Sequence, residues 1–230
     1  MQEFSLKGAP GVRVSVRRSA RARRISLRVS SLDGRVTLTL PRGASERAAR
    51  AFAEEKARWL EGALGKVRPV LPVGPGSVLP VAGIARQVVA GGGRAARLTE
   101  TTIEAPAGRE GPAIEALLRH LARAALAEAT GRHAAALGVT PGGLTLRDTR
   151  SRWGSCSSEG NLMFSWRLIM APPRVLDYVA AHEVAHLRHM DHSAAFWATV
   201  ETLFPAHKAE RRWLKEQGNA LHRHRFRAAD

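Results

Sequence analysis

The sequence has a single cysteine, a single tyrosine and few aromatic residues, which make up 5% of its 230 residues. Because one cysteine cannot form a disulfide within the chain, Cys156 argues against a disulfide-stabilised secreted protein and indicates a reducing compartment. No uninterrupted apolar run reaches the about 18 residues that a transmembrane helix needs, and the first eight residues contain no apolar core of signal-peptide length. We therefore expect a cytoplasmic protein with no membrane partner.

Basic residues are in large excess, with 36 Lys and Arg against 20 Asp and Glu and a formal net charge of +16. Such a charge is compatible with nucleic acid or nucleotides as partners. However, arginine greatly outnumbers lysine and is spread along the chain, as a compositional bias would produce. The one dense run lies at residues 17–24, where a solvated loop and strand face is favoured over a phosphate-binding patch.

The N-terminal part carries strand patterns. Residues 12–16 and 25–29 alternate apolar with polar or basic side chains, as half-buried strands do. Asp33-Gly34 is a turn signal between the second of these segments and residues 35–40. The pattern predicts a β-hairpin there.

A helix and further short strands follow the hairpin. Residues 48–64 have the apolar spacing of one amphipathic helix. The composition then shifts to Pro, Gly and Val, with short strands predicted near residues 78–81 and 86–89. We expect residues 1–110 to form a small β-rich subdomain with one helix, and residues 111–230 to form a second domain.

The C-terminal part combines helices with two strands. A long helix begins near Pro112, and strands are predicted at residues 144–148 and 161–166. Pro172-Pro173 suits the first turn of the next helix. Further helices are expected from Ser193 and from Pro205. The pattern as a whole predicts an α+β fold.

The helix that follows Pro172-Pro173 contains His182-Glu183-x-x-His186. Residues four apart on a helix are separated by about 40° of rotation and about 6 Å of rise, so both imidazoles can reach one metal ion. Zinc fits best, because it takes imidazole nitrogens at about 2.0–2.1 Å and keeps a position for water in catalytic sites. The Glu183 carboxylate can reach that water as a general base without binding the metal. The motif therefore predicts a hydrolytic site with one zinc ion.

A catalytic zinc ion needs a third protein ligand. His189 lies almost on the same helix face as His182, but seven residues of helix span about 10.5 Å, too far for three ligands in a line to share one ion. His192 is better placed if the chain turns back near residue 191. Glu201 on the next helix would supply a carboxylate instead. We favour His192 over Glu201, and either of them over His189.

Three nearby residues allow two interpretations each. For Trp153, core packing is favoured over contact with a substrate. For Tyr178, packing beside the active-site helix is favoured over donating a hydrogen bond to an oxyanion. Cys156 is expected to be a small buried residue rather than a metal ligand.

A longer series of residues, in one order, carries a family resemblance. The series consists of Arg152-Trp153-Gly154-Ser155-Cys156, Asn161, Trp166-Arg167-Leu168, Pro172, Asp177-Tyr178-Val179, His182-Glu183-x-x-His186, His192-Ser193 and Phe196-Trp197. With it, residues 145–215 resemble the YgjP-like group of zinc metallopeptidases, which is related to the SprT-like and WLM proteins. The N-terminal part is similar only in general form.

The resemblance implies a zincin-like metallopeptidase core with an active-site helix and an adjacent β-hairpin. It implies Glu183 as the catalytic base and three zinc ligands, namely His182, His186 and His192. One departure is His189, where the resemblance leads us to expect a non-ligating polar residue. The hairpin is expected to supply an edge strand that pairs with an extended peptide through free backbone groups. Residues 161–166 are our candidate for that strand.

The leading hypothesis is a zinc-dependent hydrolase that cleaves peptide bonds in a peptide or protein substrate. Two alternatives remain open. A metal-dependent nucleotide phosphohydrolase, such as a pyrophosphatase, would suit the positive charge, although no phosphate-loop motif supports it. A DNA-associated module would use the basic N-terminal strands and would bind DNA with a steep salt dependence.

Overall fold

The computed structural model describes residues 2–30 and 33–227. The chain divides into two compact units, Met1–Val70 and Leu71–Asp230, and each unit has its own hydrophobic core. Both units combine helices with small β-sheets, so the fold is α+β. The domain boundary expected from the sequence, after residue 110, falls inside the second unit.

The first unit contains one mixed sheet. Its strands are β1 Gln2–Ser5, β2 Arg13–Arg18, β3 Ser26–Val29 and β4 Val36–Leu40. They are arranged in the order β1-β2-β4-β3. β3 and β4 pair antiparallel, which confirms the predicted hairpin, and β2 runs parallel to β4. Val14, Leu38 and Leu40 project from this sheet into the core.

Two helices cover the core of the first unit, where the sequence predicts a single helix over residues 48–64. They are α1 Glu46–Glu55 and α2 Ala57–Leu64. The chain leaves the helical conformation at Lys56, whose φ and ψ are −93° and 9°. Ser45 caps α1, since its side chain accepts a hydrogen bond from the backbone N–H of Ala48 at 3.2 Å.

The second unit contains a sheet with the same topology as that of the first unit. The strands of this sheet are β6 Val78–Val81, β7 Ile84–Gly91, β8 Arg97–Leu98 and β9 Thr102–Pro106. A separate pair consists of the two-residue strands β5 Leu71–Pro72 and β13 His224–Arg225. The four-stranded sheet has the order β6-β7-β9-β8, and β5 pairs with β13. Val88 and Ile103 share one core with Ile114 and Leu118 of helix α3, Glu110–Leu137. This shared core is the reason that residues 78–106 belong with the helices that follow.

A third sheet lies next to the candidate site. It consists of β10 Leu144–Arg147, β11 Gly154–Cys156 and β12 Leu162–Ser165, in the order β10-β12-β11. The expectation that residues 161–166 form an edge strand is therefore wrong. β12 lies in the middle of the sheet because its backbone pairs with β10 on one side and with β11 on the other. Leu162, Met163 and Phe164 of this strand are all buried. β10 and β11 are the two edges.

The remaining helices follow β12 in close succession. After a 3₁₀ turn over Trp166–Met170 come α4 Pro173–Ala185, α5 Ala194–Leu203 and α6 His207–Leu221. Pro173 occupies the first turn of α4, where its missing N–H costs nothing. Ser193 caps α5 by accepting a hydrogen bond from the Phe196 N–H. None of the helices formed by residues 2–30 and 33–227 has the length and apolar character needed to cross a bilayer.

Candidate metal centre

The two histidines of the motif lie where α4 ends. His182 belongs to its last turn, and His186 is the residue at its C-terminal cap. The chain then turns, so that His192, which precedes α5, comes back beside them. Their ring nitrogens form a group within 4.8 Å of one another that could hold a metal ion. His189, which lies between the end of α4 and His192, is not a member of this group.

The donor atoms of this group fit a tetrahedral site. Nε2 of His192 lies 3.3 Å from Nε2 of His182. Two nitrogens bound tetrahedrally to zinc at about 2.0–2.1 Å would be about 3.3–3.4 Å apart. Nδ1 of His186 is 2.9 Å from the backbone carbonyl oxygen of His189, to which it can donate a hydrogen bond. That hydrogen bond would leave Nε2 of His186 free for a metal ion.

The alternative ligand Glu201 lies outside the group. It is on α5, and its carboxylate is 3.5 Å from Nδ1 of His207. The His207 ring stacks on Trp197, with ring centroids 5.6 Å apart. Sequence reasoning did not identify His207, and an isolated histidine in a helix gives no signal that would distinguish it.

Aromatic side chains fix the orientation of the histidine rings. Phe196 stacks on His186 with ring centroids 4.4 Å apart and an interplanar angle of 27°. Tyr178 is buried and meets both His182 and Phe204 edge-on. Burial raises the pKa of Tyr178 to about 12, so its hydroxyl stays protonated at neutral pH. These contacts place the ring of Tyr178, which belongs to α4, between His182 of the same helix and Phe204.

Burial keeps the two histidines of α4 neutral. It lowers the pKa of His182 to about 3, and the positive charges of protonated His186 and His192 would add to this effect. Burial also lowers the pKa of His186, although the hydrogen bond to the His189 carbonyl opposes it. A neutral imidazole has a nitrogen lone pair, which metal coordination requires.

Glu183 is buried beneath strand β11, with only 5% of its surface exposed. A Cβ atom on Gly154 would lie 2.7 Å from Cδ of Glu183, so a glycine is needed for the strand to pass over the carboxylate. Burial raises the pKa of Glu183 to about 8, and the charge of Arg152 opposes this shift. A cation held by the neighbouring histidines would also favour the carboxylate form.

The contact between Gly154 and Glu183 was not foreseen from the sequence. A glycine in a strand is its only local signal, because such glycines often mark a close approach of another group.

Trp153, which precedes Gly154 in the chain, stacks on His222 with ring centroids 4.8 Å apart. Cys156, at the other end of β11, is half-buried, and burial raises the pKa of its thiol. Neither residue is in the histidine group.

A family model described as the YgjP-like metallopeptidase domain matches residues 23–217. Among solved structures, the chain is similar to the metallopeptidase zymogen abylysin of Pyrococcus abyssi, with 23% sequence identity and a TM-score of 0.36. That alignment covers 40% of this chain and 95% of the other. No curated protein sequence matches the chain significantly.

Proposed function

Because the chain belongs to the YgjP-like metallopeptidase family, we propose that its histidine group binds one zinc ion and that Glu183 is the general base of peptide hydrolysis. The ligands in this proposal are His182, His186 and His192. One observation carries it: three imidazoles come together in one group, and burial holds two of them neutral. The residue that follows the first of these histidines is the buried carboxylate Glu183, which is not a member of the group. We take the second unit to be a zincin-like core.

The residues of the site divide the chemistry between them. A bound zinc ion supplies a Lewis acid that polarises a carbonyl oxygen and lowers the pKa of a water molecule towards about 7. The Glu183 carboxylate accepts a proton from the attacking water as the new carbon–oxygen bond forms. It then returns that proton to the amide nitrogen as the carbon–nitrogen bond breaks. The products are a carboxylic acid and an amine, and Glu183 is restored to its starting state.

Strand β11 is our candidate for the substrate-binding edge. It pairs with β12 on one side, and within residues 2–30 and 33–227 no strand pairs with its other side. An extended peptide can add to such an edge through backbone hydrogen bonds. Because Gly154 of β11 lies directly against Glu183, a peptide along this strand would pass close to the general base.

The family assignment favours a peptidase over the two alternatives considered from the sequence. A nucleotide phosphohydrolase has no support from the family, which is a metallopeptidase family. A purely DNA-associated module would leave the buried Glu183 beside three converging histidines without a role. We therefore propose peptide or protein substrates for this site.

The variant Glu183→Gln tests the mechanism. It preserves the size of the side chain but cannot accept the proton, so we expect it to bind zinc as the wild type does and to have no measurable turnover. Glu159→Gln, a change at an exposed residue between β11 and β12, is the matched control and should retain full activity. Substrates should include casein-derived peptides and nucleoside triphosphates. Full peptide hydrolysis by Glu183→Gln, or hydrolysis of triphosphates alone by the wild type, would contradict the proposal.

A further inference from the structure

The positive charge of the protein is concentrated in its first unit. Residues 1–70 contain 16 of the 36 Lys and Arg residues but only 6 of the 20 Asp and Glu residues. They therefore carry +10 of the formal charge of +16, although they are less than a third of the chain. A compositional bias acting alone would spread the excess evenly, so the first unit needs a separate explanation.

The sheet of the first unit presents two different faces. Val14 and Leu38 point into the core, as does the partly buried Leu27. Side chains alternate along a strand, so Arg17 of β2 and Arg28 of β3 project from the opposite face, and both are exposed.

Hydroxyl groups lie between these two arginines on the outer face. β4 runs between β2 and β3, with Arg17 opposite Thr39 and Arg28 opposite Thr37. Neighbouring strands are about 4.8 Å apart, so the backbones that carry Arg17 and Arg28 are about 10 Å apart across β4. This part of the surface is therefore a flat area of guanidinium and hydroxyl donors.

Further exposed arginines extend this surface. Arg13 lies on the same face of β2, and the connection that joins β2 to β3 at one end of the sheet carries three more exposed arginines. We call the whole set the arginine face, and it consists of Arg13, Arg17, Arg21, Arg23, Arg24 and Arg28.

None of the six residues of the arginine face forms an ion pair within the part of the chain that the structure describes. Within residues 2–30 and 33–227, no Asp or Glu lies within salt-bridge distance of any of its six members, whereas the adjacent Arg18 pairs with Glu46 at 3.7 Å. Glu3 of β1 lies opposite Ser15 on the same face of the sheet, and its carboxylate accepts a hydrogen bond from the Ser15 hydroxyl at 2.8 Å. Several positive charges that are held together without ion pairs repel one another, and this repulsion lowers the stability of the unit. The same charges favour the binding of an anionic partner.

The chemistry of the face narrows the class of partner. Guanidinium groups bind phosphate oxygens bidentately, and threonine hydroxyls also donate to phosphates. The strands offer no aromatic side chain on this face for stacking unpaired bases, since Phe4 packs on the core of the unit instead. The outward-facing residues of β2, β3 and β4 include no large apolar side chain that would insert into a lipid interface.

We propose that the arginine face binds the phosphate backbone of a nucleic-acid duplex without recognising its sequence. The face belongs to the first unit, so this binding is a property additional to peptide hydrolysis. Its most direct consequence is a steep dependence on salt, because each phosphate contact releases bound counterions.

The test compares two variants of the full chain that lose the same charge. The first replaces Arg17, Arg23 and Arg28 by Gln, and the second replaces Arg94, Arg109 and Arg212, which are exposed in the second unit. Binding of a fluorescent DNA duplex is measured by anisotropy between about 50 and 200 mM salt. We expect the first variant to bind at least about tenfold more weakly, with a salt slope reduced by about 3, and the second to bind as the wild type does.

Three results would overturn the proposal. Equal losses in the two variants would mean that only net charge matters. Tighter binding of a single-stranded oligonucleotide of the same length would indicate a different nucleic-acid partner. Loss of binding to phosphatidylserine vesicles, with unchanged duplex binding in the first variant, would assign the face to a membrane. Circular dichroism of both variants ensures that a loss of binding is not a loss of folding.

Discussion

Gly154 lies directly against Glu183, so the strand at the edge of the third sheet covers the carboxylate that we propose as the general base. A Cβ atom at position 154 would be 2.6 Å from Cγ and 2.7 Å from Cδ of Glu183. These distances are far shorter than van der Waals contact. The position of Glu183 therefore depends on the absence of a side chain in a strand that lies 29 residues earlier in the chain.

We predict that Gly154→Ala lowers kcat by about 100-fold while zinc remains bound. The added methyl group must displace either the strand or the Glu183 carboxylate, and a misplacement of about 1 Å can reduce the rate to this degree. The zinc ligands are on other residues, so the metal content should stay at the wild-type level. The measurements are peptide hydrolysis and metal analysis of the same preparation.

The control for this variant is Gly131→Ala. Gly131 lies within α3, where an added Cβ would have no neighbour within 4 Å. Alanine is favoured over glycine inside a helix by about 1 kcal/mol, so this variant should be slightly more stable and equally active. Wild-type activity in Gly154→Ala as well would show that Glu183 does not depend on the strand above it.

Arg167 connects three separated parts of the second unit. Its Nε and Nη2 donate to the carboxylate of Asp148 at 2.6 and 3.0 Å. Its Nη1 donates to the carbonyl oxygens of Leu221 at 2.9 Å and His224 at 3.0 Å. Because these bonds are buried or partly buried, Arg167→Met should lower the free energy of unfolding by about 3–5 kcal/mol. Chemical denaturation with constant metal concentration measures this change.

Arg174→Met is the matched control for that prediction. The side chain of Arg174 is 68% exposed and makes one ion pair, 3.2 Å long, with Glu210. An exposed pair of this kind contributes about 0–1 kcal/mol. Similar small losses for the two variants would mean that Arg167 does not hold these segments together.

His224 should make the protein less stable in mild acid. Burial lowers its pKa to about 4, and the charges of Arg167 and Arg223 act in the same direction. Its pKa in the unfolded chain is about 6.5. Between these values the unfolded chain binds a proton that the folded protein does not, so the free energy of unfolding decreases as the pH falls from about 6.5 to 4.

The variant His224→Gln removes this contribution. Its stability should fall less steeply than that of the wild type between about pH 6.5 and 4, by up to about 3 kcal/mol over the window. Loss of metal in acid affects both proteins, so the difference between their curves isolates His224. Parallel curves for the two proteins across this range would exclude the effect.

Local patterns in the sequence account for much of the fold. The proline pair before α4, Ser193 as the cap of α5, and the turn between β3 and β4 are all signals within a few residues of the structure that they specify. The grouping of the two histidines of α4 follows from helical spacing. The argument against His189 assumed seven residues of continuous helix, whereas in the structure α4 ends at Ala185.

Contacts between distant residues account for what the sequence did not reveal. The place of β12 in the middle of its sheet depends on its parallel pairing with β10, which no local pattern encodes. The partners of Arg167 are 19 to 57 residues away in sequence. The contact of Gly154 with Glu183 is equally remote. In each case the decisive neighbour is set by tertiary packing, which propensity and periodicity do not describe.

The central claim is that His182, His186 and His192 hold one zinc ion, and its most direct test is metal stoichiometry. The number of zinc ions per chain should be measured by inductively coupled plasma mass spectrometry in the wild type, in His192→Ala and in His189→Ala. We predict one zinc ion per chain in the wild type and in His189→Ala, whose backbone carbonyl still accepts the hydrogen bond from His186, and strongly reduced zinc in His192→Ala. A full equivalent of zinc in His192→Ala, with loss of zinc in His189→Ala, would contradict the account.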